Sequence, residues 1–176
     1  MIQEQRVAQG DWRTESLLSR VRVVEDSYVS KLTEAGRRII VLAGEQAGRF
    51  EHDYIDTGHI ILALITNEEV AEFLQSVNVS PEKIKSATEF VLAGCRIIPE
   101  AGQFIACDLT KNAYRTISSS LDEAQRNKRE EADTLDLFIG CLHVKDGVAA
   151  IVLESFGVTL ERTQTARARL NKPLTS

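Results

Sequence analysis

Residues 32–65 read LTEAGRRIIVLAGEQAGRFEHDYIDTGHIILALI, and residues 109–142 read LTKNAYRTISSSLDEAQRNKREEADTLDLFIGCL. Aligned at an offset of 77 residues (109 − 32), the two stretches share eight identical positions, whereas unrelated helical segments of this length share roughly one or two. The sequence therefore predicts a tandem duplication. The identical pairs are Leu32/Leu109, Thr33/Thr110, Arg38/Arg115, Ile40/Ile117, Ala47/Ala124, Arg49/Arg126, Asp56/Asp133 and Thr57/Thr134. Two short insertions in the second copy extend the alignment from Val70/Val148 to Glu82/Glu161.

Each copy shows the start signals and apolar periodicity of four helices, which predicts an all-α fold. In the first copy we expect helices from Thr33, from Asp56 or Thr57, over about 69–77, and from Ser80-Pro81 to about 93. In the second copy the expected starts are Thr110, Asp133 or Thr134, Gly147 and Thr159.

The predicted organisation has five parts. Before the repeats, Leu17, Val21, Val24, Tyr28 and Leu32 recur at helical spacing, which indicates an added amphipathic helix over about 11–31. Between the repeats, Pro99 and Gly102 are typical of a linker. We therefore expect an N-terminal extension (1–31), a first repeat (32–93), a linker (94–108), a second repeat (109–171) and a tail (172–176).

Composition argues against several classes of protein. The chain has 176 residues, a formal net charge of −5, 43% hydrophobic and 27% charged residues, which is typical of a globular domain. No Lys/Arg stripe supplies the phosphate contacts of a nucleic-acid-binding protein. Cys95, Cys107 and Cys141 are scattered, without a C-x-x-C pair, so neither disulfides nor a zinc site is expected. No long apolar run suggests a membrane segment or leader, which favours a cytoplasmic location.

Two motifs resemble the Clp amino-terminal domain family. Leu32-Thr33-Glu34 and HDYIDTGHIILAL (52–64) resemble F-T-E-R-A and G-H-N-Y-I-G-T-E-H-I-L-L-G-L of its first repeat. VAAIVLESFGV (148–158) resembles G-V-A-x-x-V-L-x-x-x-G-V of its second. The resemblance covers about 32–170 and implies an eight-helix, pseudo-twofold bundle that heads Clp unfoldases and docks adaptors and substrates.

The chain lacks G-x-x-x-x-G-K-[ST], so we expect no ATP site, no cofactor and no enzymatic activity. The residues before Leu32 favour a stand-alone relative of the domain over a fragment of an unfoldase.

In some relatives of the ClpC type, a helix-start threonine and a glutamate bind phosphoarginine. The resemblance places the threonines at Thr33 and Thr110, but Gly58 and Leu135 replace the glutamates. Losing a charge-assisted partner costs about 1.5–3 kcal/mol, or roughly tenfold to a hundredfold in affinity, so phosphoarginine binding is not expected. Carboxylates that could compensate are Asp53, Asp56, Asp133 and Asp136.

The function that the resemblance implies is a non-catalytic binding module for protein partners of the Clp system: an unfoldase, an adaptor, substrate segments or the protease core. The alternatives are a structural accessory subunit of the protease core and a decoy that sequesters ligands of the unfoldase. Docking is expected in grooves between the repeats and at helix starts. The candidate binding residues are Thr33, Thr57, Thr110, Thr134, Asp56 and Asp133.

Other polar residues have ordinary structural interpretations. His59 is expected to pack or cap a helix, and its seven-residue separation from His52 matches no compact metal pattern. The charged run Arg126 to Glu131 is typical of a solvated helix end. No pattern of nucleophile and base predicts a catalytic site.

Overall fold

The computed structural model describes residues 27–94 and 109–170. These residues form eight α-helices preceded by one 3-10 turn at Val29–Lys31. Four helices belong to the first repeat and four to the second, which confirms the predicted all-α bundle. The helices are α1 (Glu34–Arg49), α2 (Thr57–Leu64), α3 (Glu68–Ser76), α4 (Pro81–Gly94), α5 (Lys111–Arg126), α6 (Thr134–His143), α7 (Val148–Ser155) and α8 (Leu160–Leu170).

The helix starts lie where the capping residues predict them. Thr33 and Thr110 cap α1 and α5, and Asp56 and Asp133 cap α2 and α6. A side-chain oxygen at this position satisfies an N–H group of the first turn that has no partner within the helix. Pro81 occupies the first position of α4, where no N–H group is needed.

The core is built around α2 and α6, whose residues are buried on every side. All eight residues of α2 are buried, and the first nine of the ten residues of α6 are buried too. Surrounding helices show the one-sided apolar pattern of surface helices. Phe73 of α3 packs edge-on against Phe138 of α6, with ring centroids 5.7 Å apart, so the core is shared between the repeats.

Backbone contacts tie the start of each repeat to the other repeat. Leu32 forms an isolated parallel β-bridge with Ala132, and Leu109 forms one with Ile55. The Thr33 N–H donates to the Ala132 carbonyl at 2.9 Å. At the offset of 77 residues, Leu32 corresponds to Leu109 and Ile55 corresponds to Ala132. The two bridges are therefore equivalent contacts, each between the start of one repeat and the other repeat. This reciprocity is the pseudo-twofold symmetry of the fold.

Left-handed backbone positions repeat in the same way. Glu51 and Lys128, 77 residues apart, have φ of 57° and 58°. After the third helix of each repeat, Asn78 and Gly157 have φ of 59° and 75°, now 79 residues apart. The buried residues of α3 and α7 also correspond at an offset of 79 residues. The two residues inserted in the second repeat therefore lie before α7. Val70 therefore matches Ala149, rather than Val148 as the sequence alignment has it.

The predicted linker after Gly94 and most of the predicted N-terminal helix lie outside the described residues. The part of that helix within them is not α-helical: residues 27–32 form a turn, a single 3-10 turn and the bridge at Leu32. Tyr28 packs against Tyr114 of α5, with ring centroids 4.8 Å apart. No helix within residues 27–94 and 109–170 combines the length and apolar character needed to cross a bilayer.

Candidate functional site

The hydroxyls of Thr33 and Thr110 serve first as helix caps. Thr33 Oγ1 accepts from the Gly36 N–H at 3.2 Å, and Thr110 Oγ1 accepts from the Ala113 N–H at 3.1 Å. Thr110 Oγ1 also donates to Asp56 Oδ1 at 2.6 Å, which links α5 to the start of α2. Both threonines are partly exposed, so each remains accessible from solvent.

Thr57 and Thr134, at the first positions of α2 and α6, lie inside the molecule. Thr57 is fully buried, and its Oγ1 accepts from the Ala149 N–H at 3.3 Å. Thr134 Oγ1 donates to Glu69 Oε2 at 2.6 Å. Each hydroxyl therefore bonds to the first turn of the third helix of the opposite repeat, and these two residues join the repeats.

Asp133 belongs to a partly buried ion network at the start of α6. Arg167 of α8 donates to Asp136 Oδ1 at 2.6 Å and to Asp133 Oδ2 at 2.8 Å. Arg129 donates to the same two carboxylates at 2.7 and 2.6 Å. Burial raises the pKa of the Asp136 carboxyl, and the hydrogen bond from Arg129 opposes that rise. The network attaches α8 to the core.

The corresponding place in the first repeat holds two histidines where the second repeat has Arg129 and Asp136. At the offset of 77, His52 and His59 correspond to Arg129 and Asp136. His59 Nδ1 accepts from the Asp56 N–H at 2.9 Å, and its Nε2 lies 3.0 Å from His52 Nδ1. Burial, assisted by His52, lowers the pKa of His59 to about 3. His59 is thus a packed, neutral capping residue, as its sequence position predicts.

Neither position where the related family has its glutamate carries a carboxylate, and both positions are buried. A Cβ atom on Gly58 would lie 2.9 Å from Leu92 Cδ2 and 3.1 Å from Val148 Cγ1. Leu135 is buried as well. Among the compensating carboxylates, Asp53 is exposed, whereas those at positions 56, 133 and 136 are engaged in the contacts above.

An open groove of about 700 Å³ lies beside the starts of α1 and α3. Thr33 and Glu34 line it at the start of α1, and Arg38 and Leu42 continue along the same helix. Glu68, in the first turn of α3, lines the other side. The groove thus combines apolar side chains with charges of both signs. Of the six binding residues predicted from the sequence, Thr33 is the one that lines it.

The equivalent place in the second repeat is bridged by side chains. Arg115, the counterpart of Arg38, donates to Asp146 Oδ1 at 3.0 Å and to Asn112 Oδ1 at 3.2 Å. Within the described residues, Arg38 makes no ion pair of this kind. The two repeats therefore present different surfaces at corresponding helix starts.

The first repeat matches a known protein family. Residues 31–99 match the family described as the Clp repeat (R) N-terminal domain. The chain belongs to the Clp amino-terminal domain family. It is 29% identical over 136 residues to the negative regulator of genetic competence ClpC/MecB of Bacillus subtilis, which covers 76% of this chain and 16% of that protein. It is 30% identical over 155 residues to the chloroplastic chaperone protein ClpC2 of Oryza sativa subsp. japonica, covering 86% and 16%.

The fold comparison agrees with the family. The structure of the N-terminal domain of the chaperone ClpD from Arabidopsis thaliana superimposes with a TM-score of 0.61 at 22% identity, over 81% of this chain and 96% of that one. This Clp N-terminal domain spans about a sixth of the length of the curated relatives above. Its similarity is to the docking domain of Clp unfoldases, not to their catalytic domains. No group of three or more metal-ligating side chains occurs in the described parts of the chain.

Proposed function

We propose that this Clp N-terminal domain is a non-catalytic binding module that docks adaptors, substrate segments or other protein partners of a Clp unfoldase and protease. The observation that carries the proposal is the groove at the starts of α1 and α3, in a chain whose family is a docking domain. A peptide segment that lies in such a groove gains affinity from apolar contacts and hydrogen bonds, and this mode of binding needs no cofactor.

The proposed docking surface consists of the groove residues Thr33, Glu34, Arg38 and Leu42 of α1 together with Glu68 of α3. Here an exposed guanidinium lies among carboxylates beside apolar surface, so the groove can contact a segment that carries both charged and apolar side chains. Charged groups on such a rim set partner choice and association rate more than total affinity. We expect the groove to discriminate among partners accordingly.

The other candidate residues have supporting roles in this proposal. Thr57 and Thr134 lie inside the molecule, and Asp56 and Asp133 bond to Thr110 and to arginines. We propose that they fix the helix starts relative to one another, so that the groove is formed before the partner arrives. A preformed groove loses less conformational entropy on binding.

Phosphoarginine is not part of the proposed function. The support is the space around Gly58, which Leu92 and Val148 fill, and the burial of Leu135. Neither residue supplies a carboxylate that could pair with a guanidinium. Titration with free phosphoarginine provides the check, and binding in the micromolar range would contradict this part of the proposal.

The experiment uses a pair of identical residues at corresponding positions. The tagged chain, Arg38→Glu and Arg115→Glu are each used to capture partners from a native lysate, and the captured proteins are identified by mass spectrometry. Thr33→Ala and Thr110→Ala form a second matched pair. We expect the wild-type chain, Arg115→Glu and Thr110→Ala to capture an unfoldase or its adaptors. We expect Arg38→Glu to lose these partners.

The outcomes separate the functional classes. Recovery of protease-ring subunits instead of an unfoldase or adaptor would favour the accessory-subunit alternative. Recovery of no Clp component would contradict the docking proposal. Equal recovery with Arg38→Glu and Arg115→Glu would contradict the choice of groove while leaving the binding module itself supported.

A further inference from the structure

A second groove, of about 610 Å³, lies between the end of α3 and one face of α8. Five residues of α8 line it, and four of them recur at helical spacing: Arg162, Thr165, Ala166 and Arg169. These positions (i, i+3, i+4 and i+7) form one stripe along the helix. The adjacent side of α8, which carries Arg167, packs on the core. The stripe therefore forms the α8 wall of the groove, with Ala166 also packing against the core, on a helix that the ion network holds in place.

Arg162 is held in a fixed position at one end of this stripe. Its Nη1 donates to the Gly157 carbonyl at 3.0 Å, and its Nη2 donates to the Val77 carbonyl at 2.5 Å. A guanidinium has five N–H groups, so three remain for a further acceptor. A cation that backbone carbonyls hold in place loses little freedom when it binds a carboxylate.

Arg169 lies two helical turns further along the same stripe and is exposed. At 1.5 Å per residue, the two arginines are about 10 Å apart along the helix. Glu161 is the one carboxylate in the lining of the groove, so cationic side chains exceed acidic ones there. The chain as a whole has a formal net charge of −5, which makes this groove opposite in sign to the molecule.

We propose that the groove between α3 and α8 binds an acidic segment of another polypeptide. Two carboxylates of this segment would lie about 10 Å from each other. Side chains at positions i and i+3 of an extended chain, or at i and i+7 of a helix, have this spacing. Each pairs with one arginine, and small side chains contact Thr165 and Ala166 between them. A polypeptide fits better than a nucleic acid because the lining has two cations and no aromatic side chain on which bases stack.

The corresponding face of α4 in the first repeat has different chemistry. At the offset of 79, Lys83 corresponds to Arg162 and Phe90 to Arg169. The Phe90 side chain is 81% exposed, so one cation of the pair is replaced by an apolar group. The acidic-segment site is therefore expected in the second repeat only, and Lys83 provides a matched control.

The experiment measures fluorescence anisotropy of three labelled peptides of equal length that carry paired Glu, Gln or Lys residues. We expect saturable binding of the Glu peptide that weakens as salt is raised, because the contacts are between exposed charges. Arg169→Ala is expected to weaken binding roughly fivefold, and Arg169→Glu more than tenfold. Lys83→Glu makes the same reversal of charge outside the groove and is expected to leave the affinity unchanged.

Circular dichroism of each variant confirms that the exposed substitutions leave the fold intact. Equal affinity for the Glu and Gln peptides, or no saturable binding of the Glu peptide, would overturn the proposal. An equal loss in Lys83→Glu and Arg169→Glu would also overturn it, because attraction would then be nonspecific. A DNA oligonucleotide of matched charge that displaces the Glu peptide at lower concentration would overturn the assignment to a polypeptide. None of these outcomes depends on the groove beside α1.

Discussion

Replacing Arg167 with leucine is expected to lower the free energy of unfolding by about 3 kcal/mol. The Arg167 side chain is only 8% exposed and donates to Asp136 at 2.6 Å and to Asp133 at 2.8 Å. Removal of one partner from a buried ion pair typically costs about 3–5 kcal/mol, because the remaining charge has no compensation. Here Arg129 still contacts Asp136 at 2.7 Å, which places the expected loss at the low end of that range.

The assay is urea-induced unfolding followed by circular dichroism, with Arg169→Leu as the control. Arg169 is on the same helix but exposed, so its replacement should change stability by less than about 0.5 kcal/mol. The single variant Asp136→Asn and the double variant Arg167→Leu/Asp136→Asn complete a double-mutant cycle, in which the double variant should lose less stability than the sum of the two single losses. Equal losses in Arg167→Leu and Arg169→Leu, or additive losses in the cycle, would refute the pairing of Arg167 with Asp136.

Further predictions concern close packing, pH and the missing glutamate. Gly140→Ala should destabilise by about 2 kcal/mol or more in urea unfolding, because its Cβ would lie 2.4 Å from the Thr116 carbonyl oxygen, whereas Gly94→Ala, with open space around it, should not. The folded-state pKa of His59, about 3, is below its ordinary 6.5, so only the unfolded chain gains this proton as pH falls. His59 therefore lowers the free energy of unfolding by about 1.4 kcal/mol for each pH unit as pH falls from 6 to 4. His59→Gln should reduce this dependence of stability on pH. An unchanged dependence would contradict the assignment of His59 as a buried, neutral residue. Gly58→Glu should lower the free energy of unfolding in urea, since its Cβ would lie 2.9 Å from Leu92 Cδ2 and its side chain would start in apolar surroundings, and an unchanged stability would show that the site can open.

The helices could be predicted because their signals are local. A cap such as Thr33 or Asp133 bonds within the next three residues, and Pro81 acts at the residue it occupies. The start of α4 is at the predicted residue, and the bounds of α3 differ from the prediction by one residue at each end. The family resemblance depends on the same short motifs, so it too could be recognised from the sequence.

The partners of the candidate site residues could not be predicted in this way. Thr110 bonds to a residue 54 positions away and Thr134 to one 65 positions away. Arg129 lies in a charged run that is typical of solvated residues, but in the structure it contacts two carboxylates at the start of α6. Spacing rules describe neighbours within about one helical turn, whereas these contacts arise only when the repeats pack against each other.

The reciprocal bridges of Leu32 with Ala132 and of Leu109 with Ile55 also bear on the ancestry of the molecule. In an isologous dimer, a contact between residue i and residue j always occurs a second time with the subunits exchanged. A single ancestral repeat could form both contacts only by pairing with another copy of itself. The two halves of this chain are therefore arranged as the subunits of a homodimer would be, with the partner supplied by the same polypeptide.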